Sequence, residues 1–362
     1  MVKNRVVCVS DVNIGYGSPQ IPKLVEFLSQ NYDAEAIILE PDEPLKPRNQ
    51  DFSTNYALRT IPLSSHPHTH RGRKEFIKKA VEVVQQLRPD VLVVCATYSL
   101  PVIFQINFRP KFVIYYYLES VVTYGRNDIK MNKKIDHLVD LIIFTEENRA
   151  VKFGEMCGFQ NIPFCIVYNC VNDLNNDIVP TEKRNGRIIY QGTIRKDTAI
   201  DYYFNKKTQS IPIDLYGNID RSKYKKKLFS LQDNVKYNGY VDSEKLLQLR
   251  KFYIYSIVMW LPVSENNLYA SPNKFFESIA SGVPPITAPH PQCKMLVNRY
   301  SCGIVMKDWD FDSFFEAIKL GIQYYQDKKE YEKMVTNCLI AVKEELNWES
   351  QMTKLTPHLK NI

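Results

Sequence analysis

Several protein classes are excluded by what this 362-residue chain does not contain. It has no run of about eighteen apolar residues, the length a membrane-crossing helix needs. Its N-terminus lacks the apolar stretch of a secretion signal. None of its eight cysteines, at 8, 95, 157, 165, 170, 293, 302 and 338, forms a C-x-x-C pair. Cys8 and Cys95 lie in apolar runs and read as buried small hydrophobes of a protein from a reducing compartment. There is no Arg/Lys-rich arm and no aromatic-plus-basic repeat, so nucleic acid is not an expected partner. Lys225, Lys226 and Lys227 read as the solvated face of a helix. His66, His68 and His70 stand in an extended, Pro-containing stretch with no Cys or carboxylate at ligand spacing, so no metal is expected there. Nothing in the sequence gives His66, His68, His70 or His137 a catalytic role. The expected protein is soluble and cytoplasmic, with room for peripheral association with a membrane face.

What is present is a globular composition, 44% hydrophobic and 24% charged, with a net charge of +7 that suits phosphates or an anionic surface. The length favours two domains. In the first half, apolar strand-like runs alternate with helical periodicity. Strands are expected at residues 5–10, 36–39, near 60–63, 91–96, 111–117, 141–145 and 166–168. Helical spacing covers 21–28 and 76–87. The polar stretch 172–186 reads as a linker. The alternation then restarts, with strands at 187–190, 213–216, 235–237, 253–259 and 284–287, and helices at 274–281, 311–326 and 329–345. Such alternation predicts an α/β protein with two parallel sheets, each covered on both faces. The expected division is residues 1–172, residues 187–345, and a terminal segment 346–362 that crosses back to the first domain, anchored by Trp348. Ligands of such sheets gather at the carboxyl ends of the strands.

The most informative stretch is 270–288 (ASPNKFFESIASGVPPITA). Pro272 and Asn273 form a turn, with Asn273 a reasonable helix N-cap. That leaves the N–H groups of Ser271, Asn273, Lys274 and Phe275 at a helix start, a ready diphosphate site. Lys274 can add a point charge, and Glu277 lies one turn on, within reach of a sugar hydroxyl. Phe275, Phe276 and Ile279 face the core. Gly282 ends the helix, and Pro284 and Pro285 stop its continuation. From these residues alone a capped helix with solvated Lys and Glu fits as well as a diphosphate site.

The same stretch resembles the donor signature of retaining glycosyltransferases with the GT-B fold, those similar to glycosyltransferase family four, in the Pro-Asn-Lys-x-x-Glu variant. The likeness runs through the whole second half: Ile189-Tyr190-Gln191-Gly192-Thr193, Asp214-Leu215-Tyr216-Gly217, residues 234–241, and Ser301-Cys302-Gly303-Ile304. It implies two Rossmann-like domains facing a cleft. It also implies sugar transfer from a nucleoside-diphosphate sugar to a glycan or lipid-linked acceptor in polysaccharide or glycoconjugate synthesis. By resemblance, Glu277 binds the donor ribose, and Ser271, Asn273, Lys274 and Phe275 hold the diphosphate. Gly192 and Thr193 let the backbone approach it. Tyr240, Val241 and Gly217 border the base. No cofactor and no metal are implied, since backbone N–H groups and cations hold the diphosphate and no Asp-x-Asp pair is present. A retaining front-face reaction lets the leaving diphosphate take the acceptor proton, whereas an inverting one needs a base at the acceptor hydroxyl.

The chain departs from the family pattern at two places. A second Glu is usual eight residues before the ribose-binding one, where Tyr269 stands; Glu265 is out of register. Arg195 and Lys196 are adjacent, and Thr198 occupies an expected Lys position. The phosphate charge is then divided among Arg195, Lys196 and Lys274. In the first half, Gly15 and Gly17 lie in the first strand–helix loop, the family's place for the acceptor and transferred sugar. Glu119 ends a strand, either touching acceptor or sugar or simply solvated. Arg149 is either a helix-surface charge or a cleft residue, and Asn169 resembles the family's turn after the last strand of this half. Two other functions fit the same fold: a nucleotide-sugar epimerase, which needs several cleft carboxylates and histidines, and a catalytically silent nucleotide-sugar-binding partner protein, which Tyr269 favours.

Overall fold

The computed structural model describes residues 4–14, 18–44, 55–119, 126–158, 161–172, 178–219 and 234–360. Gly15, Gly17 and Lys225–Lys227 lie outside them. The chain divides into two compact units, Met1–Val167 with Met352–Ile362, and Tyr168–Gln351.

The first unit holds β1 (Arg5–Val9), β2 (Glu35–Pro41), β3 (Ala57–Ile61), β4 (Val91–Cys95), β5 (Phe112–Tyr117), β6 (Leu141–Phe144) and β7 (Phe164–Ile166). They form one sheet in the order β3-β2-β1-β4-β5-β6-β7, and every pairing is parallel. The strands are almost wholly apolar because parallel strands are covered on both faces. Val7, Val9, Leu92, Val94, Val113, Tyr115 and Ile142 form the centre of one core. Helices α1 (Gln20–Tyr32), α2 (His70–Leu87), α3 (Ala96–Ser99), α4 (Pro101–Gln105), α5 (Arg126–Asn132) and α6 (Glu147–Cys157) connect the strands. Helix α2 starts six residues before its apolar periodicity, because its first turn is polar and is started by a cap. The Thr69 hydroxyl accepts the Gly72 N–H at 3.1 Å. A Cβ at Gly72 would lie 2.2 Å from the His66 carbonyl oxygen, so only glycine lets that loop close on the helix. The last strand falls two residues earlier than expected; Val167 and Tyr168, buried beyond its end, had extended the apolar run.

The second unit holds β8 (Ile188–Gln191), β9 (Ile213–Tyr216), β10 (Val235–Tyr237), β11 (Tyr255–Val258), β12 (Pro285–Thr287) and β13 (Ile304–Val305). The order is β10-β9-β8-β11-β12-β13, again all parallel. Its helices are α7 (Ser243–Arg250), α8 (Glu265–Leu268), α9 (Asn273–Ala280), α10 (Pro291–Tyr300), α11 (Phe311–Gln326), α12 (Lys328–Glu344) and α13 (Trp348–Thr353), which extends two residues into the first unit. Within the polar stretch 172–186, Arg184 is buried and donates to the carbonyls of Tyr253 and Gly282 and to the Tyr331 hydroxyl. Trp348 is buried, and its N–H bonds the Val171 carbonyl at 3.0 Å.

Both sheets reverse their strand order once, between β1 and β4 and between β8 and β11. Open parallel sheets bind ligands at the carboxyl edge of such a reversal. All eight cysteines are buried thiols, Cys8 and Cys95 among them. Among the described residues no helix is long and apolar enough to cross a membrane.

Candidate functional site

The reversal in the second sheet is where the chemistry concentrates. Three glycines end β8, β9 and β10 side by side: Gly192 N–H bonds the Tyr216 carbonyl at 2.9 Å, and Gly217 N–H bonds the Gly239 carbonyl at 2.8 Å. Gly217 has φ +133, and a Cβ there would come within 2.0 Å of the Gly192 carbonyl oxygen. A side chain is therefore excluded twice over, by backbone conformation and by space.

Helix α9 points its first turn at this edge. Its N-cap is Pro272, without a side-chain cap bond, and Asn273 is its first residue. Asn273 is thus not the cap. Pro272 holds the extended φ of −77 that a cap needs, and it leaves the helix start without a competing side-chain acceptor. The Phe275 N–H is also not free: it bonds the Pro272 carbonyl at 2.9 Å, tightening the first turn. Phe275, Phe276 and Ile279 are fully buried, and Gly282 takes φ +65 after the helix end. Ser271 is buried with its carbonyl held by the Asn169 side-chain amide at 2.7 Å.

Lys274 is the unusual residue. Its side chain is buried, and its Nζ has no hydrogen-bond partner. The ammonium lies 4.2 Å from the ring centroid of Tyr190 on β8 and 4.3 Å from that of Trp260, just beyond β11. The two rings come from either side of the strand-order reversal. A Cβ on Gly192 would lie 3.4 Å from Nζ, so the Gly192 turn stands directly over the charge. Burial, reinforced by the nearby Arg195, lowers the Lys274 pKa to about 7. The two rings return only part of the lost hydration.

Glu277, one turn on, is fixed by Gln191 of the 189–193 stretch and by Arg250, which the sequence did not single out. Arg250, the last residue of α7, is 1% exposed and donates to Glu277 Oε2 at 2.8 Å. The Gln191 amide donates to the same oxygen at 2.5 Å, and Arg250 donates to Gln191 Oε1 at 2.7 and 2.5 Å. Burial lowers the Arg250 pKa, and the Glu277 charge works against that. The second Glu277 oxygen takes part in none of these bonds, and the side chain stays 19% exposed.

The remaining candidates divide. Arg195 is half-buried and paired with Asp197 at 2.7 Å, while Lys196 and Thr193 are exposed. Thr198, where the resemblance expects a Lys, donates to the Arg195 carbonyl at 2.7 Å and closes the turn. Tyr240 is exposed beside Gly239, but Val241 packs with Ile189, Tyr216 and Tyr253. Tyr269 ends α8, its N–H on the Glu265 carbonyl, and Glu265 Oε2 is buried without a hydrogen bond. Beyond β12, His290 is buried between the rings of Trp260 and Trp309. It accepts the Trp260 N–H on Nε2, and burial lowers its pKa to about 4. It is a neutral wall of the site.

In the first unit, Glu119 is exposed beyond the carboxyl end of β5. Arg149 is not a surface charge: it is buried, bonding the Leu118 carbonyl and the Thr145 hydroxyl. His66 and His68 do meet a carboxylate. Glu43, brought from the end of β2, lies 3.8 Å from His66 Nε2 and 3.3 Å from His68 Nε2. Among the described residues no group of three or more His, Cys, Asp or Glu is arranged to hold a metal.

No protein-family model and no curated protein matches the chain. Solved structures do. Sucrose-phosphate synthase from Thermosynechococcus elongatus superposes with a TM-score of 0.73 at 16% identity, over 98% of each chain. HepE from Anabaena, in complex with UDP and glucose, gives 0.74 at 11% identity, over 99% of this chain and 100% of that one. A TarM mutant from S. aureus, in complex with Fondaparinux, alpha-GlcNAc-glycerol and UDP, gives 0.74 at 8% identity, over 99% and 100%. At these identities the likeness speaks for architecture: the chain has the GT-B fold, on which these glycosyltransferases are built.

Proposed function

We propose that the chain is a glycosyltransferase that takes a sugar from a nucleoside diphosphate and passes it to a glycan or lipid-linked acceptor, with retention and without a metal. One observation carries this reading: the Lys274 ammonium, buried and without a hydrogen-bonding partner at a helix start beneath a glycine turn. A buried cation is costly unless an anion meets it. A diphosphate placed on the first turn of α9 would supply that anion, with the Asn273 and Lys274 N–H groups as further donors. The free side of the Glu277 carboxylate would accept the ribose hydroxyls, its orientation fixed by Arg250 and Gln191. Gly192, Thr193, Gly217, Ser271 and Tyr240 would border the nucleotide; Phe275 and Val241 would contribute by packing.

In the reaction, the bond from the anomeric carbon to the diphosphate breaks and negative charge grows on the leaving oxygen. Lys274 and the α9 dipole stabilise that charge, and Arg195 and Lys196 add to it from the rim. The acceptor hydroxyl attacks from the same face, and its proton goes to the departing diphosphate. Glu119, beyond the carboxyl end of β5, is assigned to acceptor and transferred sugar, and Gly15 is assigned there by resemblance alone. The site fits a cytoplasmic enzyme of polysaccharide or glycoconjugate synthesis.

A thermal-shift screen of the full chain against common nucleotide sugars, followed by assay of nucleoside diphosphate release, tests this. One donor should raise the melting temperature and be slowly hydrolysed, and Lys274→Met should abolish both effects. Lack of any shift across the panel overturns the reading; a shift with no turnover over a range of acceptors favours a silent nucleotide-sugar binder.

A further inference from the structure

The other strand-order reversal, between β1 and β4, carries its own cluster of charge. Ala96, at φ +57, turns the chain from β4 straight into α3 and brings Thr97 and Tyr98 to the carboxyl edge of the sheet. Beside them opens a cavity of about 1210 Å³, lined along one side by the start of α2. Four cations line it: Arg71, Arg73, Lys74 and Lys78. Arg71, Lys74 and Lys78 stand at i, i+3 and i+7, one face of the helix. They are exposed and make no ion pair with any described residue. Arg73 is half-buried, its guanidinium 3.5 Å from the ring centroid of Tyr98, which fixes it at the cavity wall. A smaller cavity shares Arg73 and Tyr98 and reaches Asp11, beyond β1.

The acids of the wall do not balance this charge. Glu75 is taken by Lys79 at 2.9 Å and by the Ser64 N–H and hydroxyl, which hold its pKa down at about 2. Among the described residues, Asp128 lines the cavity with the cations and Asp11 reaches Arg73 from the smaller one; burial raises the Asp128 pKa even though Arg73 opposes the rise. The placement also runs against the helix dipole. The first turn of α2 contains no acidic residue, and Arg71, Arg73 and Lys74 crowd the end where the dipole is already positive. Each is destabilising there in the empty protein, and each becomes favourable once an anion occupies the cavity.

We propose that this cavity binds a phosphate group carried by the acceptor, so that the sugar is transferred to a phosphorylated molecule. The acceptor role rests on the glycosyltransferase reading; the phosphate binding does not. The phosphate would be a monoester on a small polyol or sugar, or the headgroup of a lipid-linked acceptor. A monoester carries two negative charges and a diester headgroup one, but both present free phosphate oxygens that Arg71, Arg73 and Lys74 can bond.

The test uses the full chain with three probes: glucose 6-phosphate, glucose, and vesicles containing phosphatidylglycerol. Binding is compared in the native chain, in Arg71→Ala/Lys74→Ala/Lys78→Ala, and in Lys274→Met. These exposed α2 side chains can be shortened without touching the core, and circular dichroism checks the fold. Glucose 6-phosphate or the vesicles should bind the native chain, glucose should not, and the triple variant should bind roughly tenfold or more weakly. Lys274→Met should bind as the native chain does, which separates this site from the one on α9. Binding of the soluble probe identifies a free phosphate ester as the source, and binding of the vesicles alone identifies a lipid headgroup. Equal binding of glucose and its phosphate, no binding of either phosphate probe, or full binding by the triple variant each overturns the proposal. If Lys274→Met retains phosphate binding while no nucleotide sugar binds the native chain, the function fails and the phosphate site stands.

Discussion

The two strand-order reversals hold their positive charge in opposite ways. At the first, cations stand in water on one face of α2, each with its hydration shell, and only Arg73 is pinned by a ring. At the second, a single ammonium is stripped of water between two rings and set beneath a glycine turn. The solvated set is inexpensive to keep and weak per residue. The buried one costs stability in the empty protein but is already desolvated and aimed when an anion arrives. The contrast can be broken by mutation, by pH and by salt, in that order of expected effect.

The largest effect should come from the pair that supports the buried site. Glu277→Ala leaves Arg250, 1% exposed, with a charge no carboxylate answers. Losing one partner of a buried pair costs about 3–5 kcal/mol, and the Gln191 bonds that remain hold this case to the lower end, about 3 kcal/mol. Urea unfolding of the second unit measures it. Arg250→Met should cost less than Glu277→Ala, because Glu277 can turn toward solvent. No comparable loss should follow from any single α2 cation; a loss as large at Lys74→Ala would erase the contrast.

Lys274→Met comes next and acts in two directions. It should weaken binding of the preferred nucleoside diphosphate by about 100-fold, near 3 kcal/mol. It should also stabilise the empty protein by about 1–3 kcal/mol, since an unanswered buried charge is replaced by an apolar chain of similar length. The gain has a pH signature. The folded pKa is about 7, below the unfolded value near 10.5, so the native chain carries the full penalty at pH 7 and below. As pH rises from 7 toward 10.5 the folded state sheds the proton first, native stability recovers, and the advantage of Met shrinks. Melting curves of both proteins from pH 6 to 10 check this; a difference independent of pH would mean that Lys274 is not buried as a cation.

How far the sequence reveals this contrast depends on what each feature requires. The strands were legible because parallel strands buried on both faces must be apolar throughout, as in residues 91–95. The start of α9 was legible by its Pro, Lys and Glu, and by resemblance. Arg250 was not. It lies 27 positions before Glu277, at the end of a helix with no strong apolar stripe, and only the fold makes it a buried partner. Trp260, His290 and Trp309 were missed for the same reason, since each follows a different strand and they meet only at the sheet edge. Residue type alone points to Asn273 as the cap, whereas Pro272 supplies the extended backbone conformation. The helix at 291–300 went unread because its apolar positions are broken by Lys294, Asn298 and Arg299.

Nucleotide binding should respond to pH in the opposite sense to stability. Binding places a diphosphate against Lys274 and restores the charged form, so above pH 7 each bound nucleotide should take up a proton. Affinity should then fall by up to about tenfold per pH unit from 7 to 9, where the diphosphate itself is fully ionised. Below pH 7 the ammonium is already charged and no proton is taken up at this site. Titration calorimetry in two buffers of different ionisation heat measures the proton count. A flat affinity from pH 7 to 9 would move the phosphate contact away from Lys274.

Salt should separate the two reversals by the smallest margin. The α2 cations are exposed, and at 0.5 M salt a Debye length of roughly 4 Å screens them from an approaching phosphate. The Lys274 charge, enclosed by Tyr190, Trp260 and the Gly192 turn, is reached by an anion only after solvent and ions have left. Between about 0.05 and 0.5 M sodium chloride, binding of glucose 6-phosphate to the α2 cavity should weaken about threefold to tenfold. Nucleoside diphosphate binding should change less than half as much on a logarithmic scale. Chloride can itself enter the cavity, so the comparison is repeated with sodium acetate, whose larger anion competes less well for a small cationic niche. Equal slopes in both salts would mean that Lys274 meets its ligand through solvent, as the α2 cations do, and the distinction between a desolvated and a solvated charge would no longer describe this protein.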